Sequence, residues 1–405
     1  MTRLLFTSAA LVTLMMGVAS TDDKKPQEVR KLKVGDPAPP LKVSKWLQGA
    51  AVKSLEPGTV YVVEFWATWC GPCIQMMPHL GDLQEEYRSK GVTVIGFTSE
   101  ASDREEKVTK FVEKRGAKLG YTFAFAKDHE TNDAYMKAAG RNGIPCSFVV
   151  NKEGKIAYIG HPLFLDVVLP KVLDGTWDPK TGADQLAAAD KDFDATYSAM
   201  TRAKDPETGL KSLMDFVAKW PGLGDNPYMT KAKFDLLVKA KKFDEVKGLG
   251  EKLIAKAATR GDTFGLLQMS AALRIDAAKG QAELTALSIK AAETAYAAEE
   301  TSPGVLLGLL EAYKFAGDSA KVKEFGPRAV AAAVAALDGD KDAIGTLRVA
   351  AAQLAAGDKQ QAKATAEQAI SMVDAKNSLR QYVEREAKKY GAEVPKKEKD
   401  DKSDK

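Results

Sequence analysis

The run Val60–Trp66 is apolar at every position but Glu64, and two residues later the chain reads Trp69-Cys70-Gly71-Pro72-Cys73. The run predicts a buried strand, and the residues after it, Ile74 to Lys90, predict a helix. Two cysteines with two residues between them can close a small disulfide ring and reopen it. At a helix start the free backbone N–H groups and the helix dipole stabilise a thiolate, which makes Cys70 the expected nucleophile. Pro72 suits the first helical turn, where its missing N–H leaves nothing unpaired. Strand, dithiol and helix in that order describe a redox site on a scaffold that activates it. Cys70 is accordingly expected to be the exposed, low-pKa thiol and Cys73 the buried one.

Further elements follow on both sides. Strands are expected at Val92–Thr98 and Tyr121–Ala126, and helices at Arg104–Arg115 and Asp133–Ala139. Pro78 should interrupt the first helix as a kink of structural origin. Ser147–Val150 and Lys155–Ile159 read as a hairpin across Asn151-Lys152-Glu153-Gly154, with glycine closing the turn. Leu163–Leu173 predicts a closing helix that stops near Gly175. Strands alternating with helices, ending in a hairpin, give an α/β fold in which helices flank a mixed sheet.

At 405 residues the chain is too long for one ordinary domain. Residues 1–20 read as a signal peptide: Arg3 is followed by the apolar run Leu4 to Ala19, with small residues at Gly17, Ala19 and Ser20. The alternative is an uncleaved anchor, since the run is only slightly short for a membrane span. Either reading places the mature chain in a periplasmic or other extracytoplasmic compartment, where thiols are oxidised. With 3 cysteines in all, the chain is no disulfide-stapled scaffold, so the pair serves chemistry. The net charge of +4 is small and interspersed, which argues against nucleic acid as a partner.

Residues 21–33 read as a polar linker and residues 34–178 as the redox domain. From about Pro179 strand signals vanish and alanine dominates. Val246, Leu284, Val322 and Ala362 recur at steps of 38, 38 and 40 residues, each followed eight positions later by Ile254, Ala292, Val330 and Ile370. Gly280, Gly317-Asp318 and Gly357-Asp358 mark turns. Residues 179–390 therefore read as an all-α domain of stacked helix pairs similar to tetratricopeptide-type repeats, or alternatively as a non-repetitive bundle. Residues 391–405 read as a disordered charged tail.

Val34-Gly35-Asp36-Pro37-Ala38-Pro39, the stretch Val63 to Cys73, Pro78 and Gly143-Ile144-Pro145 together resemble the thioredoxin fold, and in particular the exported TlpA/ResA-like thiol–disulfide oxidoreductases and redoxins. The resemblance covers about a third of the chain. It implies a thiol–disulfide oxidoreductase, with the antioxidant, disulfide-reducing chemistry of such proteins, that needs no cofactor beyond the Cys70/Cys73 couple. Glu64, six positions before Cys70, matches the buried acid that trades a proton with the second thiol; burial should raise its pKa. Pro145 matches the cis-proline of the fold, whose ring blocks metal capture, and Ile144 before it can pair with an extended substrate. Trp69, Gly71 and Pro72 complete the expected substrate surface. Cys146 departs from the pattern: it is either a buried inert thiol or a third thiol near the site.

His79, His129 and His161 are scattered, and one CxxC supplies only half of a zinc site, so no metal is expected. Ala67 stands where a peroxiredoxin-type peroxidase carries threonine or serine. The implied partners are protein disulfide substrates and an upstream thiol reductant, with a further protein partner for the helical array. The rival reading is an adaptor whose array binds a partner, carrying a redox-responsive module. On a modular view, each half should fold alone.

Overall fold

The computed structural model describes residues 31–99, 104–374 and 377–394. The expected signal segment, most of the linker and the charged stretch from Pro395 lie outside the described residues.

The apolar run forms β2 (Val60–Phe65), buried along its whole length at the centre of one mixed sheet. Strands β1 (Lys45–Gln48), β2, β3 (Val92–Thr98), β4 (Thr122–Phe125), β5 (Cys146–Val150) and β6 (Ile156–Gly160) lie in the order β1-β4-β3-β2-β5-β6. β2, β3 and β4 run parallel; β1 and β5 are antiparallel to β4 and β2, and β6 to β5. The parallel steps need crossovers. Helix α1 (Gly71–Tyr87) makes the first and α2 (Glu105–Leu119) the second.

Side-chain alternation then divides the core in two. Val60, Val62, Val94 and Phe123 face α1, α2 and the later helix α4 (Leu165–Leu173). Tyr61, Val63, Phe65, Ile95 and Phe97 face the other way, against the N-terminal segment and a short helix, α3 (Glu130–Asn132), that widens into a π turn over Asp133–Lys137. This is the thioredoxin-like fold, and several boundaries differ from expectation. The edge strand β1 was not legible, being four residues long. Helix α1 continues through Pro78 without interruption and passes into a 3-10 turn at Arg88–Lys90. Helix α2 runs past Arg115 to Leu119 because its stop is Gly120, in the left-handed conformation at φ 75°. The linker ends earlier than residue 33: the Leu32 N–H bonds the Ala138 carbonyl at 2.9 Å.

Beyond Trp177 all described secondary structure is helical. The helices are α5 (Pro179–Arg202), α6 (Pro206–Lys219), α7 (Pro227–Lys239), α8 (Phe243–Arg260), α9 (Thr263–Ala272) and α10 (Ala282–Ala298). They continue as α11 (Pro303–Ala316), α12 (Ser319–Ala335), α13 (Ala343–Ala356), α14 (Lys359–Ser371) and α15 (Leu379–Lys388). The recurring positions fall near the starts of α8, α10, α12 and α14, every second helix, so the periodicity corresponds to stacked pairs. The Gly-Asp turns have a physical basis. Gly317 and Gly357 end one helix in the left-handed region, at φ 76° and 100°. Asp318 and Asp358 then cap the next by accepting from Lys321 and Gln361 N–H. Residues 391–394 belong to this array rather than to the tail, since Ala392 is buried against Val383 and Ala387.

The two halves do not have separate cores. One contiguous apolar cluster runs from β2 and α1 through α4 into α5–α10, as far as Val305. Charged side chains also cross the junction. Arg260 of α8 reaches over Gly81, where no side chain intervenes, to Asp82 (2.8 Å) and Glu85 of α1. Arg115 and Lys114 of α2 pair with the buried Glu299 at 2.7 and 3.1 Å. The shared cluster argues against two independently folding modules: a redox half cut at residue 178 would expose the face that α5–α10 cover.

Candidate active site

β2 delivers the chain to the edge of the sheet, and α1 begins where the cysteines stand. Cys70 is the N-cap residue of α1, in an extended conformation, and its Sγ accepts from the Cys73 N–H at 3.2 Å. Pro72 occupies the first turn, as expected. Cys70 and Cys73 are joined in a disulfide with Cα atoms 5.2 Å apart. In this disulfide form exposure does not separate them, Cys70 being 4% and Cys73 2% accessible; the expected difference between the two thiols concerns the reduced form. Trp69 beside them is 66% exposed, and Gly71 and Pro72 lie at the surface too.

The Ile144–Pro145 peptide is cis, and the Ile144 carbonyl oxygen lies 3.8 Å from Cys70 Sγ. Four segments therefore converge on the disulfide: the end of β2, the start of α1, the loop before β5, and exposed Trp69.

Glu64 lies on the face of β2 that α1 covers and is 2% exposed. Its cross-strand neighbours are Gly96 on β3 and Ser147 on β5. Ser147 Oγ donates to Glu64 Oε2, while Oε1 has no hydrogen-bond partner among the described residues. Burial lifts the Glu64 pKa to about 8, and the Ser147 hydrogen bond opposes that only in part. Desolvation penalises the charged form, so a carboxyl here stays largely protonated at neutral pH.

Cys146 alternates with Ser147 along β5 and belongs to the opposite core, among Phe65 and Phe148. Burial, and next the Glu64 charge, push its thiol up to about 12. A thiol so raised supplies almost no thiolate at neutral pH. The three histidines do not meet. His79 on α1 pairs with Asp166 at 2.7 Å, and His129 lies near Trp69. His161 accepts the Leu163 N–H through Nδ1, and burial lowers its pKa to about 4.

Residues 33–163 match the redoxin family. The protein FixW of Rhizobium leguminosarum is 34% identical over 151 residues, which cover 36% of this chain and 68% of that protein. The thiol-disulfide oxidoreductase ResA of Bacillus thuringiensis strain Al Hakam is 32% identical over 128 residues, covering 31% of this chain and 68% of ResA. Among solved structures, the thioredoxin domain of a thiol-disulfide oxidoreductase from Bacteroides vulgatus is 29% identical with a TM-score of 0.26, covering 31% of this chain and 86% of that one. The chain belongs to the ResA-type thiol–disulfide oxidoreductases of the redoxin family. The family match ends at residue 163, so α4 and the helical array lie beyond it.

Two features of this oxidoreductase escaped the sequence. The first is Ser147, the partner of Glu64, visible only once β2 and β5 are paired. The second is a cavity of about 210 Å³ beside the disulfide, lined by Trp66, Trp69, Thr98, His129, Asn132 and Ile144. Trp66 Nε1 and Thr98 Oγ1 are buried without hydrogen-bond partners among the described residues. It sits beyond the C-terminal ends of parallel strands β2 and β3, where ligands commonly enter such sheets.

Proposed function

We propose that the protein reduces disulfides in protein substrates outside the cytoplasm, through the Cys70/Cys73 couple and with no other cofactor. The observation that carries the reading is the disulfide at the start of α1, directly opposite the Ile144–Pro145 loop. In the reduced form, the Cys70 thiolate attacks a substrate disulfide. A mixed disulfide forms and one substrate thiolate leaves. Cys73 then gives up its proton, with the Glu64 carboxyl as the exchanging group, and its sulfur attacks Cys70 Sγ. The second substrate thiol departs, two electrons have passed to the substrate, and the Cys70–Cys73 disulfide is restored. An upstream thiol reductant, held at the membrane, returns the electrons.

Trp69, Gly71, Pro72 and the Ile144 backbone form the proposed substrate surface, and Pro145 keeps the cysteines accessible to sulfur rather than metal. The adjoining cavity, lined by Trp66, Trp69, Thr98 and Ile144, offers room for a substrate side chain. Export rests on residues 1–20, through a cleaved leader or a retained anchor; among the described residues no helix is long and apolar enough to cross a membrane. Cys146 takes no part, in keeping with its burial away from α1. The adaptor reading survives as an added role for the outer helices α11–α15, which have apolar clusters of their own.

Insulin reduction with an artificial reductant tests the chemistry: Cys70→Ser should abolish it. Cys73→Ser should accumulate mixed disulfides with native substrates. Unchanged turnover in Cys70→Ser would refute the assignment.

A further inference from the structure

Glu64 is the one carboxyl of β2, and it lies on the face where Trp66, Cys70 and Cys73 join a single apolar cluster. Sheet register decides what touches it. Opposite it on β3 is Gly96, where a side chain would meet the rings of Phe123 at 3.0 Å and Tyr121 at 3.1 Å. Those rings, stacked with centroids 4.4 Å apart, lie over Gly96 and close that flank with aromatic surface. Opposite it on β5 is Ser147, fully buried, whose hydroxyl donates to Glu64 Oε2. Directly opposed residues of neighbouring strands share a face, so the pairing of β2 with β5 fixes the hydroxyl beside the carboxyl.

No charge takes over this task. The titratable groups around Glu64 are Cys70 and Cys73 of α1, Tyr121 ahead of β4, Tyr158 of β6, Tyr228 of α7 and, through the sheet, Cys146 of β5. Burial pushes the phenols and the Cys146 thiol up, so these groups are neutral at pH 7. Arg141 and Asp190 act on Tyr158, and Arg141 is an exposed side chain that bonds the Ile159 carbonyl. Burial raises the Glu64 pKa to about 8, and the Ser147 hydrogen bond is what opposes it. Oε1 is left buried with no hydrogen-bond partner among the described residues. A buried polar atom left unpaired in a native site calls for a reason, and proton exchange is one. In a neutral carboxyl the carbonyl-type oxygen is the better acceptor, so donation to Oε2 puts the acid proton on Oε1.

We propose that Ser147 is a positioning residue for thiol exchange: its hydroxyl holds Glu64 Oε2, leaves Oε1 as the atom that exchanges the proton, and stabilises the carboxylate that receives the proton of Cys73. The proposal rests on the acid–base role of Glu64 and names what tunes it. In the resolving step Cys70 is bonded to the substrate sulfur and carries no charge, so Cys73 and Glu64 alone titrate. Glu64 Oε1 accepts the Cys73 S–H proton. The Cys73 sulfur bonds Cys70 Sγ, the bond from Cys70 to the substrate breaks, and its electron pair leaves with the substrate sulfur, which water protonates. Without the hydroxyl the buried carboxylate loses its hydrogen bond, Glu64 holds its proton more tightly, and less carboxylate is present at neutral pH.

Mixing the reduced full chain with dithiobis-nitrobenzoate tests this. Attack by Cys70 releases one coloured thiolate, and attack by Cys73 on the mixed disulfide releases the second, so the two phases separate the cysteines. Ser147→Ala should slow the second phase about tenfold at pH 7 and move its pH midpoint up by about one unit, which is one hydrogen bond to a charged group. Ser147→Thr and Ser147→Val fill the same volume in a strand that favours β-branched residues, and only threonine keeps the hydroxyl. Threonine should restore the wild-type midpoint and valine should not, whether or not the alanine variant folds. On a Glu64→Gln background, Ser147→Val should change the second phase no further. Coincident profiles for threonine and valine, or an added loss from valine on Glu64→Gln, would overturn the role of Ser147. A Glu64→Gln variant with the wild-type second phase would instead overturn the acid–base reading of Glu64 itself.

Discussion

The sheet half and the helical half solve the same problem by different means. In the first, β2 must find β3 and β5 across long stretches of chain, and every strand residue is committed to one of two core faces. In the second, each helix packs on its sequence neighbour, and small residues such as Ala292, Ala329 and Ala366 let helices approach closely. Contacts of that local kind usually permit independent folding. The inner helices nonetheless share the core of the sheet as far as Val305, and beyond it α11–α15 rest on other clusters. Helical repeats thus become part of an enzyme's body when their first members bury a helix the enzyme already owns, here α1. The array is graded, from integral next to the redox site to self-contained at its far end.

The largest effect that can break this comparison is expected at the junction. Arg115→Ala removes the main partner of Glu299, which is 6% exposed in its side chain, leaving Lys114 and the Thr263 hydroxyl. Breaking a buried pair on one side costs about 3 kcal/mol. Urea denaturation should show that loss across sheet and inner helices together, with the m-value unchanged. A loss confined to the helices would separate the halves again.

A smaller, pH-dependent effect is expected within the sheet. Glu64 holds its proton up to about pH 8 when folded and releases it near pH 4.5 when unfolded. The folded state therefore binds more protons between those values, and wild-type stability falls as pH rises from 4.5 to 8. Glu64→Gln lacks this term, so its stability relative to wild type should improve from pH 5 to pH 8.5, by up to about 1.4 kcal/mol per pH unit. Exchange with a model disulfide should slow about tenfold or more, because an amide cannot carry the proton. A variant with the wild-type pH profile in both measurements would remove Glu64 from the mechanism.

The smallest effect is reserved for Cys146. Cys146→Ala should cost about 1 kcal/mol, for a small apolar group lost from a packed site. It should leave insulin reduction and the Cys70/Cys73 potential unchanged. A shifted potential would restore the third thiol to the site.

What the sequence revealed and what it hid follow the same division. Cys70, Cys73, Glu64 and Pro145 were legible because each sits in a local pattern: a strand run, a helix start, a proline before a strand. The array's register was legible because its turns pair a left-handed glycine with an aspartate cap. Ser147 was not, since its partner lies 83 residues away and only pairing β2 with β5 brings them together. Nor was the fused core: Arg115 and Glu299 are 184 residues apart, and either reads as a surface charge on its own helix. The edge strand β1 offers four residues and no alternation long enough to register. Pro78 lies inside α1, which continues through it to Tyr87.

Hydrogen exchange under increasing denaturant, followed peptide by peptide, addresses the shared core most directly. The slowest amides of β2, around Val62 and Val63, should become exposed at the same denaturant concentration and with the same opening free energy as those of α7 around Leu236 and Leu237. Those of α13 and α14 should open earlier. If the α7 amides exchange while β2 stays protected, the inner helices are an appended module, and the single core described here does not hold the protein together.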